Sequence, residues 1–166
     1  TFMSQLGKVG DFEISKEEIA RTWQQLVWTD EAHYRIKRTS LDIAASNDGA
    51  LTWAPFYATV QGAVEIVELP IYKPRSDVDN VSFLRTRLDV SEDGGRCALV
   101  FDDKAGILLW IDGTPTPLNG NRCELQLNQG QHVITIGVKR PAREKRLMMK
   151  LEVPSGQPHA QWSVAE

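Results

Sequence analysis

Few residues in this chain have the type and spacing to do chemistry. Asp102-Asp103-Lys104-Ala105-Gly106 places two carboxylates side by side between apolar runs. Paired carboxylates can hold Ca²⁺ or act as acid and base. The plainer reading is a hairpin loop whose Asp residues bond nearby backbone N–H groups. Asp77 and Asp79 with Asn80 make a second oxygen-rich loop. Five Trp residues, at 23, 28, 53, 110 and 162, supply the other chemical resource. An exposed aromatic ring can stack on the apolar face of a pyranose, and a buried one fills a core. Trp23 and Trp110 fall in apolar patterns, which leaves Trp53 and Trp162 free to be exposed. Trp53, Tyr57, Asp102 and Asp103 are the candidate ligand-binding residues.

Other motifs fail on context. Asp30-Glu31-Ala32-His33 spells a helicase DEAH box, but no Gly-x-x-x-x-Gly-Lys-[Ser/Thr] phosphate loop precedes it. It reads instead as a polar loop. His33, His132 and His159 are dispersed, with no metal-ligand spacing. His132 is expected on the solvent side of its strand. No Ser occupies a Gly-x-Ser-x-Gly elbow. Cys97 and Cys123 both point inward by alternation, either as an inter-sheet disulfide or as buried free thiols. The segment from Lys139 to Arg146 carries five cationic residues. Without interleaved aromatics or a groove-entering helix it reads as a solvated turn. No catalytic residue, metal site or cofactor is expected.

The elements that must position these residues are mostly strands. Leu84, Leu88 and Val90 alternate with Arg85, Arg87 and Asp89. Cys123, Leu125 and Leu127 alternate with Arg122, Glu124 and Gln126. Further runs at 96–102, 132–140 and 146–153 show the same period of two, which marks half-buried strands. Two further strands are expected at 51–57 and 63–70. Asp112-Gly113, Asn119-Gly120 and Asn128-Gln129-Gly130 supply turn chemistry between them. The run Ile107-Leu108-Leu109-Trp110-Ile111 is apolar throughout and needs cover on both faces. Ser15-Lys16-Glu17-Glu18 reads as a capping box, followed by Ile19, Trp23, Leu26 and Val27 at helical spacing. A helix over 15–28 is therefore expected as the lid. The predicted fold is an all-β antiparallel sandwich of jelly-roll type with that N-terminal helix packed on it. Residues 1–40 form an extension carrying the helix, and 41–166 form the sandwich.

Composition agrees with one globular domain. The chain has 166 residues, 42% hydrophobic and 25% charged, enough for a self-sufficient core. A net charge of −3 gives no basic field for nucleic acid. No apolar run reaches the ~20 residues that span a bilayer, so no membrane partner is expected. The chain starts Thr1-Phe2-Met3 and shows no signal peptide, which reads as a piece of a longer protein.

One long stretch resembles a known kind of module. Phe83–Val90 leads into Leu99-Val100-Phe101-Asp102-Asp103, then Gly106–Gly113, then Leu125–Ile134. This order is similar to the jelly-roll modules, galactose-binding-like and PA14-like, of large secreted bacterial proteins. Its flavour is that of modules in planctomycete-type haem-binding dehydrogenase-like proteins. The resemblance covers about residues 45–153. The family turn is usually Asp-Asp-Gly, whereas here Lys104 and Ala105 intervene, and the parent proteins' haem-attachment motif is absent. The resemblance implies a non-catalytic accessory module of a periplasmic or secreted protein. Its partners would be other domains of the parent chain and carbohydrate or a similar extended ligand. A purely structural docking domain is the alternative, and an enzyme a remoter one.

Overall fold

The computed structural model describes residues 22–59, 62–90, 95–152 and 160–162, with the backbone alone at Thr22 and at 160–162. The strands are β1 (Thr22–Leu26), β2 (Trp53–Tyr57), β3 (Val64–Glu65), β4 (Val81–Val90), β5 (Gly95–Phe101), β6 (Ile107–Ile111), β7 (Thr114–Pro115), β8 (Arg122–Leu127), β9 (Gly130–Lys139), β10 (Arg146–Leu147), β11 (Met149–Glu152) and β12 (Ala160–Trp162). Among the described residues, one α-helix, α1 (Asp30–Arg38), and two short 3-10 turns join them. Every strand pair is antiparallel.

The larger sheet runs β2-β1-β4-β9-β6-β7. All ten residues of β4 pair with β9 along one edge. β1 and β12 share the other edge. Three strands in the order β11-β5-β8 face this sheet, together with the pair β10-β3. Between the layers lies one apolar core. Leu84, Leu88, Leu109, Ile134, Ile136 and Val138 come from the large sheet, and Cys97, Leu99, Phe101, Cys123, Leu147 and Met149 from the opposite layer. Each fully buried Leu, Ile or Phe contributes about 1.5–3 kcal/mol. The all-β antiparallel sandwich is the architecture that the alternation predicts.

The large sheet is also covered on its outer face, at one end. Leu26, Val81, Phe83 and Trp110 point there and pack with Ala32, Ile36, Ala44, Leu51 and Tyr72. The helix supplies Ala32 and Ile36, one turn apart on its buried side. Thr29 caps it: the Oγ1 accepts the Ala32 N–H at 3.0 Å. Asp30 and Glu31 lie in its first turn and Arg35, Lys37 and Arg38 in its last, matching the helix dipole. The apolar strand β6 thus receives its second cover. The Trp110 ring lies across β9 at Gly137, where an added Cβ would come within 3.1 Å of it. The indole N–H donates to Asp42 Oδ1 at 2.8 Å.

The lid is not the helix expected over 15–28. Residues 22–26 form strand β1, and 15–21 lie outside the described residues. Trp23 and Leu26 are both buried, Trp23 in the inter-sheet core and Leu26 under the lid. Residues three apart in a strand point to opposite faces. In a strand covered on both sides, both positions are apolar, which imitates helical spacing. The actual helix includes Asp30-Glu31-Ala32-His33, expected as a loop.

The cysteines also differ from one expected arrangement. Both are free and buried. Cys97 pairs with Leu125, and Cys123 with Leu99, so the two thiols sit diagonally on neighbouring strands of one sheet. No bridge between sheets is available to them.

Candidate ligand-binding surface

Beyond the lid, the outer face of the large sheet carries the exposed Pro55 and Tyr57 at the β1–β2 edge. Gln24 stands opposite Arg85 on one side and Pro55 on the other. Cross-strand partners share a face, and so do alternate residues of a strand. Trp53, Pro55 and Tyr57 of β2 therefore share this face with Gln24, Arg85 and Arg87. Extending the register puts Tyr57 and Arg87 at the same level, either side of β1.

Each side chain has a distinct environment. Trp53 is half-buried and packs against the cluster beneath the lid. The guanidinium of Arg85 lies 4.5 Å over its ring. Arg85 also donates through Nε to Gln24 Oε1 at 2.8 Å. Burial, and then the neighbouring charge of Arg87, lower the Arg85 pKa to about 10. Tyr57 is 67% exposed, a large ring standing in water at the sheet edge. Trp162 lies on β12, and its side chain is outside what is described.

Asp102 and Asp103 lie elsewhere, in the loop from β5 to β6. Asp102 Oδ1 accepts from Arg143 Nη1 at 3.1 Å and from the Met148 N–H at 3.2 Å. Asp103 Oδ1 accepts the Ala105 N–H at 3.1 Å. Arg143, only 7% exposed, also donates to the carbonyls of Asp103, Ala105 and Arg146. The structure brings Trp53 and Tyr57 together on one strand. It does not bring Asp102 and Asp103 to them.

Arg143 corrects the reading of 139–146 as a solvated basic turn. A second residue there, Arg140, also turns inward and donates to the Ile66 and Leu69 carbonyls and to Ser82 Oγ. His132 differs from expectation too. It shares a face with Ile134, Ile136 and Val138, at the edge of the core. Its Nδ1 lies 2.6 Å from Asp112 Oδ2 and its Nε2 2.8 Å from the Asn128 carbonyl.

No family model matches the chain, and no curated protein matches it. Among solved structures it is similar to a β-glucosidase from Kluyveromyces marxianus, at 9% identity and a TM-score of 0.43. The likeness covers 80% of this chain and 14% of that one. The glucose complex of the same enzyme gives 9% identity, a TM-score of 0.40, and 80% and 15% coverage. An anti-sigma factor domain-containing protein from Clostridium clariflavum gives 13% identity and a TM-score of 0.35, over 61% of this chain and 38% of that one. The chain thus spans about a seventh of the β-glucosidase.

A second polar surface was missed by sequence reasoning. The outer face of β11-β5-β8 forms a groove of about 500 Å³ lined by Arg96, Ala98, Arg122, Glu124, Gln126 and Glu152. Its charges are largely spent on each other. Arg122 pairs with Glu152 and Glu124, and Lys150 with Glu152. Gln24 was missed as well, because β1 imitates a helix. Arg85 and Arg87 were already marked as solvent-facing by alternation. Among the described residues, no helix is long and apolar enough to cross a membrane.

Proposed function

We propose that the chain is a non-catalytic accessory β-sandwich module of a larger extracytoplasmic protein, of the galactose-binding-like jelly-roll kind, and that it binds carbohydrate. The carrying observation is the exposed Tyr57 ring beside the Arg85–Trp53 stack, on one face of one sheet. An aromatic ring in water gains by covering itself with the C–H face of a sugar. Arg85 fixes the Trp53 ring as a side wall, and the Gln24 amide nitrogen remains to donate to a hydroxyl. These groups sit on strands, so little order has to be gained on binding. Specificity comes from the polar groups and affinity from the stacked ring.

The test is a glycan-array screen followed by calorimetry on Tyr57→Ala and Trp53→Ala variants. Wild-type protein is expected to bind, and Tyr57→Ala to lose at least tenfold in affinity with an unchanged Tm. Binding that survives Tyr57→Ala intact removes the platform. Failure to bind any glycan favours a docking domain that contacts other parts of its parent chain. The exposed Trp28, Tyr34, Val67 and Ile71 are the residues such docking would use.

A further inference from the structure

Arg85 and Arg87 are alternate residues on one face of β4, so their side chains emerge about 6–7 Å apart. Neither forms an ion pair with any described residue. Arg85 donates only to the neutral Gln24 and stacks on Trp53. Arg87 has a buried Nε with no hydrogen-bond partner. Both side chains are only partly exposed. Asp89, two residues further along the same face, approaches neither within ion-pair distance. Asp112 is engaged by His132 and by the Val133 N–H. Arg140 and Arg143 differ in that their guanidinium ends donate to carbonyls and to hydroxyl or carboxylate oxygens, although Arg140 Nε, like Arg87 Nε, is buried without a partner.

Two like charges held close and half out of water are destabilising unless an anion meets them. Arginine forks match carboxylate and sulfate groups through paired N–H donors. Tyr57 lies level with Arg87 on the far side of β1. The array therefore offers a ring for a pyranose face and two cations for an acidic substituent.

We infer that the carbohydrate taken by this face is an anionic one, a saccharide whose carboxylate or sulfate is held by Arg85 and Arg87 while its ring stacks on Tyr57. The inference rests on the sheet-face reading above and deepens it. The unpaired arginines are the reason to choose an acidic sugar over a neutral one. The Arg85 pKa, brought down to about 10, agrees with a cation short of solvent and of counter-charge, yet still leaves it charged at neutral pH.

Calorimetry at low salt separates the outcomes, with four probes: an oligogalacturonate, a heparin-derived oligosaccharide, a neutral cello-oligosaccharide and inorganic phosphate. The variants are Arg87→Gln, Arg87→Lys and Tyr57→Ala, each checked for an unchanged Tm. The expected result is that one acidic oligosaccharide binds at least tenfold tighter than the neutral one. That binding weakens with added salt and falls at least tenfold in Arg87→Gln, less in Arg87→Lys. Preference for the oligogalacturonate assigns the group as carboxylate, and preference for the heparin fragment as sulfate. Equal or tighter binding of the neutral oligosaccharide, lost in Tyr57→Ala, overturns the anionic inference and leaves the carbohydrate reading standing. Binding of an acidic probe unchanged by Arg87→Gln overturns it too. Phosphate that competes at equal concentration reduces the site to a bare anion site and overturns the sugar assignment. Absence of binding by all four probes overturns both.

Discussion

Arg143 Nη1 donates to Asp102 Oδ1 at 3.1 Å, joining the acidic β5–β6 loop to the basic β9–β10 connection. Two segments that look like separate chemical sites in the sequence are halves of one structural clasp. One charge of each segment, Asp102 and Arg143, is neutralised by the other.

Removing the clasp is therefore expected to act on stability. Arg143→Ala leaves three carbonyls without their side-chain donor and the Asp102 carboxylate with the Met148 N–H alone. Thermal unfolding should show a loss of about 2–4 kcal/mol, roughly 5–10 °C in Tm. Asp103→Ala gives up one exposed turn bond and should change Tm by no more than a degree or two. If the two variants unfold alike, the clasp is not the organising contact of this loop.

Gly137 is expected to resist any side chain. Its Cβ would press on the Trp110 ring at 3.1 and 3.3 Å and on Leu108 at 3.4 Å. Gly137→Ala should destabilise by about 1–3 kcal/mol through overpacking. It should also shift the tryptophan emission, since Trp110 has to leave its place beside Phe83 and Asp42. Chemical denaturation followed by fluorescence reads both effects, and an unchanged midpoint contradicts the packing described here.

His132 makes stability depend on pH near neutrality. Partial burial lowers its pKa, but the hydrogen bonds to Asp112 and to the Asn128 carbonyl, with the charge of Asp112, raise it overall. A raised folded pKa means that protons bind the native state more tightly than the unfolded one. The stabilisation is complete below about pH 6.5 and is lost as pH rises through the folded value. Tm should fall as pH rises above about 6.5, and Asp112→Asn should flatten that slope. An NMR titration of the imidazole gives the folded value directly.

The thiols should be inert in the folded protein. Burial, with the neighbouring Cys123, pushes the Cys97 pKa up to about 11, and burial raises that of Cys123. A disulfide reagent at pH 8 should titrate neither thiol in native protein and both in denaturant. Stability should also decline from about pH 9 towards 11, because the unfolded chain gives up its thiol protons first. Rapid labelling of native protein would show that this part of the core opens readily.

The sandwich was legible because its strands are buried on one face, which writes a period of two into β4, β5, β8 and β9. The turn at Asp112-Gly113 was legible for a similar reason, since both residues take positive φ, 50° and 81°, in the two-residue link between β6 and β7. β1 was not legible, because it is covered on both faces. The helix was not legible either: nine residues with only Ala32 and Ile36 buried carry too little apolar pattern. The second cover of β6 could be inferred from five apolar residues in a row, but not which segment supplies it. At the candidate surface Trp53 and Tyr57 stood out by type. Their grouping with Gln24, Arg85 and Arg87 depends on strand register, and register between β1 and β4 spans some 60 residues of chain.

Strand β3 pairs at residues 64–65 with β10 at 146–147, and after Met148 alone the chain moves on to pair β11 with β5. One short stretch near residue 148 thus fastens two pieces of the second layer that are made much earlier. During synthesis Val64 and Ile66 must wait some 80 residues for Leu147 to close over them. Contacts of such long sequence separation slow folding. A nascent chain that has emerged from the ribosome only as far as residue 145 should have its large sheet forming and its core still open to chaperones.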